Sequence, residues 1–212
     1  MIGDSVGEDL DTLDEAWPPY ERAAARSRLF VDSAPFELYV LPPRHWRGFA
    51  GVGGFGWHNR TLVKVEYRYV DRLDTPTKRL SVLNVQPPGP DEFEEEVYIL
   101  NVLQTPPRTL SERPTLGPKG PSEIVHVGLN GLDFLSGHLR RWLNHPELLV
   151  LALPVPDVSL RAVSVGLTTD ELLAFASLLV PLSANASVYA EMLSSLRLYD
   201  AALENWLLSS ME

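Results

Sequence analysis

The chain has 212 residues and a formal net charge of −10, from 18 Lys and Arg against 28 Asp and Glu, and it contains no cysteine. A disulfide framework, a thiolate zinc site and a cysteine nucleophile are thereby excluded, and a net-negative surface repels phosphate backbones. With 45% apolar residues, the composition is that of a globular protein able to bury roughly 70% of the surface its unfolded form exposes.

The acid is clustered. Asp4, Glu8, Asp9, Asp11, Asp14 and Glu15 all precede the first basic residue, and residues 1–17 read as an acidic flexible arm. The stretch "DEFEEE" from Asp91 holds five more carboxylates and reads as a solvated loop. The only compact basic stretch, "HLRRW" around Arg140 and Arg141, is too small to serve as a nucleic-acid face. No apolar run approaches the ~20 residues needed to span a bilayer. Nor does a basic region followed by an apolar one open the chain as a signal peptide would. As it stands the sequence points to the cytoplasm; had a leader been removed, the protein would work outside it.

"PPYERAAARSRLF" from Pro18 has the propensity of a short helix, and "FELYVL" (Phe36 to Leu41) reads as a strand stopped by Pro42 and Pro43. "GVGGFGWHN" then presents G-x-G-x-x-G. A dinucleotide loop needs a strand before these glycines and a helix after them. Here "PPRHWRGFA" precedes them and a strand follows. A kinase loop needs a Val where His58 stands, with H-R-D and D-F-G motifs downstream, and neither motif is present. The glycines therefore read as a flexible turn or bulge leading into a strand.

That strand, "LVKVEYRYV", alternates Val63, Val65, Tyr67 and Tyr69 with Lys64, Glu66 and Arg68, so one face should be buried and the other charged. "RLSVLNVQ" (Arg79 to Gln86), "EEVYILNVLQ" (Glu95 to Gln104) and "SEIVHVG" (Ser122 to Gly128) read as further strands. The last two are separated by a five-proline loop that could form a flap over one face. The segment from His138 to Gly166 offers three more strands. Thr168 and Glu171 then form a capping box opening a helix that Pro181 ends. Val188, Met192, Leu196, Tyr199, Leu203 and Trp206 make one apolar stripe on a final helix. Strands followed by helices predict an α+β fold: a curved antiparallel sheet of about 6–8 strands backed by helices. Its domain should cover residues 18–182, with residues 183–212 as an amphipathic C-terminal helix packed on the domain or on a partner.

The chemistry-bearing residues form no recognised constellation. His45, His58, His126, His138 and His145 match no metal-binding spacing, although His45 and His58 would approach each other, with Glu66 nearby, if the glycine stretch turned back. No G-x-S-x-G elbow marks a nucleophile, so a hydrolase would need a triad assembled in space. Neither a cofactor nor a metal is expected, and no catalysis.

The order of elements resembles the extracytoplasmic sensor domains at the C-terminus of some bacterial anti-sigma factors and the related lipoprotein-carrier and sigma-E-regulator fold. The residues that carry this lie between Phe36 and Leu182. They are the Phe36–Leu41 start, the Tyr67-x-Tyr69 strand, Val125-x-Val127-Gly128, Trp142, and the close "GLTTDELLAFASLLVPL" with Gly166, Thr168, Glu171, Leu172 and Leu173. The proline-rich stretch, the final helix and the acidic arm have no counterpart in that group. The resemblance implies a half-open sheet whose concave face accepts a lipid, peptide or protein partner. The expected function is thus a non-enzymatic binding or sensory module. Trp46, Phe49, Phe55, Trp57, Tyr67 and Tyr69 are its candidate ligand-binding residues. The alternative is a phage- or secretion-related assembly protein that forms homo-oligomers through Leu196, Leu203 and Trp206. Neither reading calls for nucleic acid or a membrane span.

Overall fold

A computed structural model describes residues 30–59, 61–73, 75–90, 92–103, 116–129 and 134–209. The expected acidic arm, the helix from Pro18 and most of the proline-rich stretch lie outside the described residues.

The fold is α+β with a seven-stranded antiparallel sheet in the order β2-β3-β4-β8-β7-β6-β5. Its strands are β2 (Phe49–His58), β3 (Thr61–Val70), β4 (Arg79–Val85), β5 (Lys119–Gly128), β6 (Phe134–Trp142), β7 (His145–Val155) and β8 (Val158–Val165). A two-stranded ribbon pairs β1 (Tyr39–Val40) with β9 (Val180–Pro181), so the expected strand over Phe36–Leu41 is shorter than its pattern suggests. Among the described residues, residues 30–33 are helical, Pro43–His45 form a 3-10 turn, and the longer helices are α1 (Glu92–Leu103), α2 (Thr169–Ser177) and α3 (Ala186–Ser209). None of them, among the described residues, is long and apolar enough to cross a membrane.

Two meanders build the sheet. β2, β3 and β4 run consecutively; α1 then carries the chain toward the far edge, and β5, β6, β7 and β8 return until β8 pairs with β4. α1 corrects the strand expected from Glu95 to Gln104. "EEVYILNV" is rich in residues that favour strands. Yet Tyr98, Ile99 and Val102 share one face of a helix, and the acidic residues at its start complement the positive end of the helix dipole.

The ladder assigns every side chain to one of two faces, because directly paired residues lie on the same side. One face reads Val65, Tyr67 and Tyr69 on β3, Leu80 and Val82 on β4, Leu160 and Ala162 on β8, and Leu149, Leu151 and Leu153 on β7. It packs under residues 30–46, α2 and the first turns of α3, and forms the main core. The other face lies partly beneath α1, where Ile99 and Val102 meet Trp142, Leu148, Val150 and Val163, and Tyr98 meets Leu83 and Val85.

The glycine stretch is itself strand β2, with register shifts between Val52 and Gly54 and between Gly56 and Trp57. The expected bulges are present; the expected turn is not. Two of the glycines make room for neighbours. A Cβ at Gly51 would stand 2.5 Å from the Tyr199 ring of α3, and one at Gly53 would stand 2.6 Å from the Glu66 carboxyl carbon. The helix and the Glu66–Arg68 pair can approach β2 only because those atoms are missing.

α2 begins as its sequence predicts. Thr168 Oγ1 accepts from the Glu171 backbone N–H at 3.2 Å, and Glu171 accepts in return from the Thr168 N–H at 2.9 Å. Lys78 Nζ adds an ion pair to Glu171 at 2.6 Å. Thr168→Ala should cost about 1 kcal/mol, a fall of about 2–4 °C in melting temperature for a protein of this size. The Glu171 carboxyl is held below its ordinary value of 4.5 by Lys78 first and by the Thr168 N–H second. Its contribution is therefore present above that ordinary value and lost as pH falls through the lower folded value. Melting curves from about pH 6 to pH 3 should show a shallower acid decline for Glu171→Gln than for the native chain; parallel curves would remove Glu171 from the acid response.

Candidate functional site

Three of the six aromatics expected to bind a ligand, Trp46, Tyr67 and Tyr69, are interior. Tyr67 and Tyr69 are fully buried on the main-core face, and burial pushes both phenols up. The Tyr69 hydroxyl donates to the Leu41 carbonyl at 2.9 Å and accepts from the Leu41 N–H at 3.0 Å. Trp46 is buried with its indole N–H on the Val70 carbonyl at 3.1 Å, and its ring lies against Tyr69 and Phe175. Phe55 packs against Phe30 with ring centroids 5.0 Å apart, and Phe49 is half-buried. The side chain of Trp57 lies outside the described residues. Trp46, Phe55 and Tyr69 help hold residues 30–46, α2 and α3 to the sheet. Leu196 of the expected partner interface is likewise buried within the protein itself, on the helix that packs along β2. The side chains of Leu203 and Trp206 lie outside the described residues.

His45 and His58 do not converge. His45 precedes the extended β2 and His58 is its last residue, and the His58 ring sits 3.2 Å from the Asn59 amide at the β2–β3 turn. Among the described residues no group of three or more His, Asp or Glu is placed to hold a metal. Ser136 Oγ is 3.4 Å from His126 Nδ1, but no carboxylate orients that imidazole among the described residues, as a triad requires.

Polar chemistry collects instead on the α1-side face. One ladder row there reads Gly54, Glu66, Leu83, Arg161, Ala152, His138 and Ile124. The next reads Gly51, Arg68, Ser81, Val163, Val150, Arg140 and Ser122. At the β3 end these rows are closed over. Glu66, only 2% exposed, accepts from Arg68 at 3.1 Å, from Ser81 Oγ at 2.7 Å and from the Tyr98 hydroxyl at 3.2 Å. Lys64 Nζ lies 4.6 Å from the centre of the Tyr98 ring. Burial first, and the Glu66 charge second, push the Tyr98 phenol far up. The face of β3 that its alternation marks as charged is thus buried, because α1 covers it. Its carboxylate is surrounded by donors from three elements.

At the β5 end the same rows are partly open. α1 reaches this end through the Glu96–Lys119 ion pair at 3.4 Å and lends Glu95 to the cleft wall, while Ile124 on β5 is 67% exposed. Two adjoining clefts of about 240 and 310 Å³ lie here, sharing His138, Ala152 and Arg161. Arg161 is fixed by an ion pair to Glu95 of α1, with Nε and Oε1 3.1 Å apart but not aligned as a hydrogen bond, and its Nη1 donates to Ser159 Oγ at 3.1 Å. Arg140 and His138, by contrast, have no ion pair or hydrogen bond among the described residues. The indole N–H of Trp142, which lines the smaller cleft, is buried and lacks an acceptor. The groove therefore offers one guanidinium, Arg140, with no partner among the described residues, beside the Arg161–Glu95 pair, in a protein of net charge −10, and such a group is suited to a carboxylate or other anion.

Sequence reasoning placed Arg140 and Arg141 together as one small basic patch. Strand alternation separates them: Arg141 points to the other face and donates to Thr169 Oγ1 at the start of α2, while Arg140 enters the groove. The available signal was the period-two pattern of "SGHLRRW", which puts His138, Arg140 and Trp142 on one side. A third and larger cleft, about 910 Å³, lies at the end of the sheet between Val31, Ala34 and Phe36 on one side and Pro87, Pro156 and Asp157 on the other.

Comparison of the chain with protein-family models, with curated proteins and with solved structures finds no match to any of them.

The two ends of the polar face should respond differently to mutation. Glu66→Ala strands the Arg68 charge and two hydroxyls in the interior and should cost about 3–5 kcal/mol. Arg140→Ala should change stability by less than about 0.5 kcal/mol. Urea unfolding of both variants checks the contrast; an Arg140→Ala cost as large as that of Glu66→Ala would make Arg140 a structural residue.

Proposed function

We propose that the protein is a non-enzymatic binding module that docks an acidic polypeptide segment in the groove formed by β5, β6, β7 and the start of α1. The observation that carries this reading is the Arg140 guanidinium, half-buried beside Arg161, His138 and the Trp142 indole and without a partner among the described residues. Desolvating a cation without a partner is costly, and a docked carboxylate would supply the missing acceptor. The sheet surface around it favours an extended segment. Ile124 and Ala152 offer apolar contacts between the charged positions, and β5 is an edge strand with unpaired backbone groups. The protein's overall negative field disfavours anions away from the groove, and salt screens that field beyond about 8 Å, so recognition is confined to close range.

This role is of the kind implied by the resemblance to sensor domains of anti-sigma factors, a sheet face that accepts a partner without chemistry, but its location differs from the aromatic positions expected there. The reading in which the last helix forms homo-oligomers has less support, since Leu196 is already committed to the protein's own core.

Fluorescence anisotropy of a labelled deca-glutamate peptide tests the proposal. The native chain should bind it in low salt, and Arg140→Glu should weaken binding at least about tenfold, equivalent to ~1.4 kcal/mol. Equal affinity for the native and Arg140→Glu chains, or no binding by either, would remove the groove as the docking surface.

A further inference from the structure

We infer that the segment docked at Arg140 carries a second determinant, an aliphatic or aromatic side chain that seats on Phe134, ~20 Å along β6 from the bound carboxylate. This rests on the reading of the groove as a site for acidic segments. It adds the partner's apolar anchor, its orientation and its spacing.

Strand alternation supplies the geometry. Arg140, His138, Ser136 and Phe134 are alternate residues of β6 and project from the same face of the sheet. Their partners across the ladder are Ser122, Ile124, His126 and Gly128 of β5, which lie on that face too. The groove therefore continues along the β5–β6 hairpin as one strip. At ~3.3 Å per residue, the distance from Arg140 to Phe134 is that spanned by an extended segment of about seven residues.

The far end of the strip is apolar and uncovered. Phe134 is 80% exposed, and Ile124 lies on the way to it, also largely in water. The residue opposite Phe134 is Gly128, where even a Cβ would reach the ring at 3.8 Å, so the ladder partner has no side chain to cover it. The other exposed large hydrophobics, Val97, Leu143, Leu178 and Leu198, lie singly in different parts of the chain and need no common partner.

Charge fixes the near end. No carboxylate of β5 or β6 projects from the strip, because Glu123 pairs with Leu139 and faces the opposite side. Glu95 of α1 is already paired with Arg161. A cationic segment would bring like charge to Arg140, whereas an acidic one supplies its acceptor. Between the two ends, Ser136 Oγ and His126 Nδ1 stand 3.4 Å apart and offer polar contacts to a polypeptide backbone. A strip that is cationic at one end and apolar at the other accepts a segment in one orientation.

Three labelled ten-residue peptides of equal charge test this by fluorescence anisotropy in low salt. Each begins with three glutamates and is otherwise serine, except that the first has leucines at positions 8 and 9 and the second at positions 4 and 5. The native chain should bind the first at least fivefold more tightly than the leucine-free third, and at least threefold more tightly than the second. Phe134→Ser, with an unchanged melting temperature, should reduce the first peptide to the affinity of the third, and Arg140→Glu should weaken all three. Equal affinity for the first and third peptides, equal affinity for the first and second, or a leucine preference that survives Phe134→Ser would overturn the inference. If binding still depended on Arg140 in that case, the groove would remain a site for acidic segments without an apolar anchor. If neither these peptides nor deca-glutamate bound, both readings would fall together.

Discussion

The pairing of β4 with β8 is the contact on which the rest of the molecule depends. It joins two meanders that are far apart in sequence, and both strands are covered on both faces, so nearly every residue of β4 is buried. Closing that pair requires the chain to travel from β4, in the middle of the sheet, to the far edge at β5, and α1 lies on that connection. Once α1 must cross, it has to cover part of one face. Ile99, Val102 and Tyr98 do that with aliphatic neighbours from β4, β6, β7 and β8.

A short helix cannot cover a seven-stranded sheet. The face away from α1 is closed by the N-terminal segment, α2 and α3, and is apolar in almost every row. The α1 face is divided. Where α1 and Tyr199 approach β2 and β3, Glu66 and Arg68 are enclosed in a network of donors, made possible by glycines at positions 51 and 53. Where α1 ends, the same two ladder rows continue into solvent as His138, Arg140 and Ile124. One polar stripe thus has two fates, set by where one helix lies. Satisfied and buried, it strengthens the interior; open, it leaves Arg140 with no partner among the described residues.

That division bears on function through charge. A protein with an excess of carboxylates ordinarily offers its few cations as surface ion pairs of small worth. Glu95, Lys78 and Arg44 do take part in such pairs. Arg140 stands apart because the nearby α1 carboxylates Glu95 and Glu96 are taken by Arg161 and Lys119, and its cross-strand neighbours are Ser122 and Val150. Among the described residues its guanidinium has no partner.

Much of the fold was legible in the residues. The period-two runs of β3, β4, β6 and β8, the Thr168–Glu171 cap and the stripe of Val188, Met192 and Leu196 are local patterns, and local physics produced the elements they predict. The readings that failed were those in which a neighbour decides. "EEVYILNV" became a helix because its apolar residues had to face Trp142 and Val150, and the glycine stretch became a strand because β3 was there to pair with it. Three of the aromatics expected to bind a ligand, Trp46, Tyr67 and Tyr69, are buried in the main core, since burial depends on what covers a strand and not on the strand itself. The sequence by itself determined the α+β class, the alternation that separates Arg140 from Arg141, and the surplus of acid at the start of the chain. Only the tertiary structure decided which end of the polar face is sealed, because that depends on the path of α1 across strands paired from distant parts of the chain.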